Sequence, residues 1–91
     1  MQAKEIFQEL GYTKLANDDK SNITYVKISE KYIADTIKFN VLNKLVEVFY
    51  NYNNTQDNNV MVEDYKVVDL KKDINMQELK AINKQIEELG W

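Results

Sequence analysis

Apolar positions follow a helical period at both ends of the chain and an alternating one between them. Near the start, Ala3, Ile6, Phe7 and Leu10 recur at i, i+3, i+4 and i+7. That stripe predicts a short helix over about Gln2 to Leu10, with Glu5 and Glu9 on its other side. Near the end, Met76, Leu79, Ile82, Ile86 and Leu89 form a second stripe with Ala81 beside it. It predicts a longer helix over Met76 to Leu89. Asn75 is a good N-cap there, and Glu78, three residues on, completes a capping-box pattern. Gln77, Lys80, Lys84, Glu87 and Glu88 fall largely outside the stripe. Glu9-Leu10-Gly11-Tyr12 and Glu88-Leu89-Gly90-Trp91 share one plan, and they hold the only two glycines of the chain. Glycine takes the left-handed conformation that ends a helix, and an apolar residue after it often packs back on the last turn. The same capping chemistry reached twice explains the echo without an internal duplication.

The middle of the chain reads as strands. Ile23 to Ser29 is rich in β-formers, with Tyr25, Val26 and Ile28. Tyr32 to Asn40 alternates, Ile33, Ile37 and Phe39 on one side against Thr36, Lys38 and Asn40 on the other. Asp35 interrupts the apolar side. Leu42-Asn43-Lys44 suits a tight turn, because Asn tolerates positive φ. Leu45 to Tyr52 follows, and a fourth strand is predicted from Val60 to about Val68, bent near Glu63-Asp64. Two polar connections remain, Lys14 to Asn22 and the loop Asn53 to Asn59. The predicted fold is α+β in the order α-β-β-β-β-α, an antiparallel four-stranded meander with both terminal helices packed on one face. The strand Leu45 to Tyr52 is apolar on both parities. One covered face therefore leaves aromatic surface for the solvent or for a partner.

Ninety-one residues make one domain, 1–91, burying roughly 60–65% of its unfolded surface. No apolar run approaches the roughly 20 residues of a bilayer span. The first residues have no apolar signal core, so a cytoplasmic protein is expected. There is no Cys and no His. Thiol catalysis, zinc hydrolysis and histidine-based triads are thereby excluded. No Arg is present, which removes the bidentate phosphate fork. With net charge −3 and dispersed lysines, direct nucleic-acid binding is not expected.

Four constellations bear on chemistry. Asn53, Thr55, Asp57, Asn59 and Asp64 stand at calcium-loop offsets, but neutral ligands fill the early places and Asp stands where a bidentate Glu belongs. A polar hairpin tip is the better reading, and no metal or cofactor is expected. Adjacent acids at Asp18-Asp19, Glu63-Asp64 and Glu87-Glu88 do not face each other as a hydrolytic pair must. An enzyme is not expected. The aromatic set Tyr25, Tyr32, Phe39, Phe49, Tyr50, Tyr52 and Tyr65 divides into core packing and a protein-binding face, since exposed tyrosines are enriched at interfaces. Finally, Asp57, Glu63, Asp64, Asp69 and Asp73 cluster in the C-terminal half, where a local acidic patch could mimic nucleic acid or discourage edge pairing. The partner-binding candidates are Tyr50, Tyr52, Tyr65, Asp57, Glu63, Asp64, Asp69 and Asp73.

The stretch Leu79 to Trp91 resembles the closing helix of small phage and prophage accessory proteins of low-GC Gram-positive bacteria. Ala3 to Tyr12 is similar to their usual start. The likeness covers roughly a quarter of the chain, and its residues are structural, so it carries over no active site. It implies a phage-encoded protein that binds a host protein and inhibits or redirects it. Inhibitors of bacterial immunity, anti-CRISPR proteins among them, are one such group. The alternatives are a structural or homo-oligomeric phage protein, in the simplest case a homodimer, and a small-ligand or ion binder using the Asn-rich loop.

Overall fold

The computed structural model describes residues 1–15, 21–30, 33–52, 66–71 and 73–91, with the backbone alone for residues 29, 30, 51, 52 and 66–71. Seven elements follow in order: α1 (Ala3–Glu9), β1 (Thr13–Lys14), β2 (Asn22–Glu30), β3 (Ile33–Asn40), β4 (Leu45–Tyr52), β5 (Lys66–Lys71) and α2 (Met76–Leu89). The strands form one antiparallel sheet in sequence order, β1 to β5. The α+β meander between two terminal helices is thus present, and the two-residue β1 adds a fifth strand at its edge. β1 takes the first residue of the predicted polar connection, Lys14, and Leu15 continues the pairing by donating its N–H to the Thr24 carbonyl at 2.9 Å. Residues 60–65 of the predicted fourth strand lie outside the described residues, and β5 runs on to Lys71.

Both helix ends close as their glycines dictate. Gly11 has φ +94° and Gly90 has φ +75°. Tyr12 N–H returns to the Phe7 carbonyl at 2.9 Å and Gly11 N–H to that of Gln8 at 3.0 Å. Trp91 N–H to Ile86 and Gly90 N–H to Glu87 repeat the pattern. This is one Schellman geometry built twice. At the other end of α2 the Asn75–Glu78 capping box forms, with Glu78 N–H to Asn75 Oδ1 at 2.8 Å and Asn75 N–H to Glu78 Oε1 at 3.1 Å. The β3–β4 turn departs from expectation. The residue at positive φ is Lys44, at 55°, while Asn43 donates its N–H to Asn40 Oδ1 at 3.0 Å. The Asn40 side chain holds the turn, and Asn43 needs no unusual conformation.

The helices cover one sheet face. Ala3 and Phe7 of α1 and Ala81 and Ile82 of α2 share a core with Tyr12, Tyr25, Ile37 and Phe39, and Val46 and Val48 pack against it. Register places Tyr25 opposite Ile37 and Ile37 opposite Val48, so these side chains rise from one face. The opposite face carries Thr24, Val26, Ala34 and Thr36, all buried, with Leu15 packed on Val26 and Ala34. Ile28 and Leu45 at the margins of that face are about half exposed. The aromatic excess of β4 therefore divides: Tyr50 shares the parity of Val46 and Val48, and Phe49 takes the other, both half-buried.

The stripe of α2 is corrected. Its buried residues are Glu78, Ala81, Ile82 and Gln85, with Ile86 and Leu89 packed at the border. Met76 and Leu79, expected in the core, stand exposed. Two polar side chains displace them because each finds a buried tyrosine hydroxyl to accept from: Tyr12 donates to Glu78 and Tyr25 donates to Gln85 at 2.7 Å. The helix rotates to bury those acceptors, and its first turn presents Met76 and Leu79 outward.

Candidate functional site

Two features stand at the start of α2, a buried polar cluster and an exposed apolar corner. The cluster centres on Tyr12, the residue that follows the Gly11 cap. Its hydroxyl donates to Glu78 Oε2, while Glu78 Oε1 accepts the Asn75 N–H. One carboxylate thus ties the first turn of α2 to the end of α1. The Lys27 Nζ lies over the Tyr12 ring, 5.9 Å from its centroid, at the outer limit of a cation–π contact. Asp35, paired with Lys27 across β2 and β3, and Tyr50, paired with Asp35 across β3 and β4, complete the group. Asp35, which interrupts the apolar side of β3 in sequence, thereby finds a lysine on the neighbouring strand.

Burial pushes the Tyr12 phenol well above its ordinary value of 10, and the hydrogen bond and charge of Glu78 push it further, with smaller contributions from Asp35 and Tyr50. The sign for stability follows. The unfolded phenol ionises near pH 10 and the folded one does not, so above pH 10 the unfolded chain binds fewer protons and stability falls. One such group gives a slope of up to about 1.4 kcal/mol per pH unit. Urea unfolding at pH 9, 10 and 11 should show this loss, and Tyr12→Phe should lessen it. An equal slope in the variant would assign the loss to other groups.

The apolar corner comprises Ile74, Met76 and Leu79, exposed by 45%, 68% and 38%. Asp73 before them and Lys80 after them are exposed as well. Among the candidates whose side chains are described, Asp73 joins this corner by position, and Tyr50 lies half-buried on the helix-covered face near Tyr12. Tyr52 and Asp69 have described backbones in β4 and β5, Tyr52 opposite Ile33. Tyr65, Asp57, Glu63 and Asp64 lie outside the described residues, as do Tyr32, Asp18-Asp19 and the loop Asn53 to Asn59. Glu87 and Glu88 do not act together: Glu87 pairs with Lys84 at 3.6 Å, and Glu88 Oε2 accepts the Ala3 N–H at 2.6 Å, joining the two helices.

Sequence reasoning missed both features for one reason. Period alone assigns Met76 and Leu79 to the core and Glu78 to a cap. Nothing local reports that a tyrosine 66 positions away needs the Glu78 carboxylate. Among the described residues no group of three acidic side chains could hold a metal ion, and no helix is long and apolar enough to cross a membrane. No protein-family model, curated protein or solved structure matches the chain.

Proposed function

We propose that the chain is a phage-encoded, non-enzymatic protein-binding module that acts in the bacterial cytoplasm by inhibiting or redirecting a host factor. The observation that carries this reading is the corner at the start of α2. Three large apolar side chains stand exposed there within six residues, Ile74, Met76 and Leu79, flanked by the charges of Asp73 and Lys80. Apolar side chains grouped within a polar rim mark contact surfaces. The residue inventory supports the non-enzymatic part, since the chain has no His, Cys or Arg. The resemblance of both chain ends to small phage proteins supports the origin. Inhibition of bacterial immunity, in the manner of an anti-CRISPR protein, is the narrower form of the same reading.

A tagged chain used as bait in lysate of a low-GC Gram-positive host should capture one stoichiometric host protein, identified by mass spectrometry. Leu79→Glu should lose that protein while keeping the wild-type melting temperature, because Leu79 adds little to the core. Capture of the same protein by the variant, or of none by the wild type, would remove the reading.

A further inference from the structure

We infer that α2 has two seatings on the helix-covered face of the sheet, and that hydrogen bonds to Glu78, Gln85 and Glu88 hold it in the one that displays Leu79. What this device controls, access to the apolar corner, rests on reading that corner as a contact surface; the two seatings themselves do not.

Two stripes of equal spacing run side by side on α2. Leu79, Ile82, Ile86 and Leu89 stand at i, i+3, i+7 and i+10, and Glu78, Ala81, Gln85 and Glu88 repeat that spacing one residue earlier. The apolar stripe alone would face the core. The helix instead buries Glu78, Ala81 and Gln85 together with Ile82, keeps Ile86 and Leu89 at the border and leaves Leu79 38% exposed. Three hydrogen bonds account for that turn, and all of them fall on the polar stripe. The Tyr12 hydroxyl donates to Glu78, the Tyr25 hydroxyl to Gln85 at 2.7 Å, and the Ala3 N–H to Glu88 at 2.6 Å. Helix neighbours lie about 100° apart, so a turn of less than that centres the apolar stripe on the sheet. Leu79 then enters the core, and Ala81 and Glu88 turn outward. Each seating forfeits what the other gains, hydrogen bonds in one and apolar burial in the other. The two tyrosine hydroxyls decide between them. Without those donors Glu78 and Gln85 are stranded in the interior, and a turn carries them away from the sheet. A partner that binds Leu79 selects the displayed seating.

The chain has no cysteine, so one introduced thiol reports alone. Leu79→Cys and Ala81→Cys test the inference, each made in the wild-type chain and in one carrying Tyr12→Phe with Tyr25→Phe. The rate of reaction with a thiol reagent is measured in the folded protein. In the wild-type background position 79 should react readily, and position 81, where the alanine is fully buried, should be protected. The two Phe replacements should slow position 79 about tenfold and speed position 81 about tenfold. Opposite changes are the signature of a turn, because loosening or local unfolding speeds both. Unchanged rates at both positions, or faster reaction at both, overturn the second seating. If the doubly replaced chain does not melt cooperatively, Tyr25→Phe alone carries the test, with opposite changes of about twofold or more expected, and their absence overturns the inference. The rates are read on the isolated chain. Their failure leaves capture of a host protein by the wild-type bait untouched, and an empty bait leaves the rates untouched, so the two readings fail separately.

Discussion

Replacing Phe7 by alanine is expected to cost about 3–5 kcal/mol, the usual range for a phenylalanine truncated in a core. Phe7 is fully buried where α1 meets β2 and β3. Its ring stacks on Tyr25 at 4.0 Å between centroids and meets Tyr12 and Phe39 edge-on at 5.7 and 6.2 Å. Truncation removes three aromatic contacts at once and leaves a void between layers that cannot close without moving α1. A 91-residue domain has roughly 5–13 kcal/mol in total. The loss is therefore a large share of the whole, and the melting temperature should fall by ~15 °C or more. Urea and thermal unfolding of Phe7→Ala measure it directly. Leu79→Ala is the matched comparison. A core Leu79 would cost about 2–5 kcal/mol, whereas the exposed one should stay within about 0.5 kcal/mol. Near-equal losses in the two variants would mean that α2 faces the sheet as its apolar period alone suggests.

That comparison marks where local pattern stops being informative. Both helices, their caps and three strands follow from short-range rules, since a left-handed glycine, an Asn–Glu box and an alternating strand each act within a few residues. The rotation of α2 does not. It depends on Glu78 and Gln85 meeting tyrosines from α1's end and from β2. Those partners are distant in sequence, and a Glu in a first helical turn is ordinarily a solvated cap. β1 escapes for another reason: two residues are too few to show an alternation. The turn at Lys44 shows the converse. Asn40 and Asn43 both suit a turn, and only the backbone reveals that the first supplies a side-chain acceptor and the second needs no positive φ. The exposed corner at Ile74, Met76 and Leu79 is a consequence of the same rotation, so it became visible only once the partners of Glu78 were known.

Glu78→Leu should cost about 2–4 kcal/mol, although it replaces a buried charge by an apolar side chain of similar size. The change leaves the buried Tyr12 hydroxyl without this acceptor, at about 1–3 kcal/mol, and removes half of the capping box, at about 1 kcal/mol. Tyr12→Phe alone should cost about 1.5–3 kcal/mol, because the carboxylate stays buried and loses a donor. The pair should not add. With both groups replaced, neither leaves the other stranded, so Glu78→Leu with Tyr12→Phe should be about 1–2 kcal/mol more stable than the sum of the singles predicts. Urea unfolding of the four proteins closes the cycle. Additive losses would show that the two groups act separately, Glu78 as a cap and Tyr12 as core. Coupling of the expected size would show that this contact joins the two ends of the chain. Tyr12 stands just past the first helix and Glu78 in the first turn of the last, and their contact sets which side of α2 meets the sheet. The exposed positions of Met76 and Leu79 then follow from this buried hydrogen bond together with that of Tyr25 to Gln85.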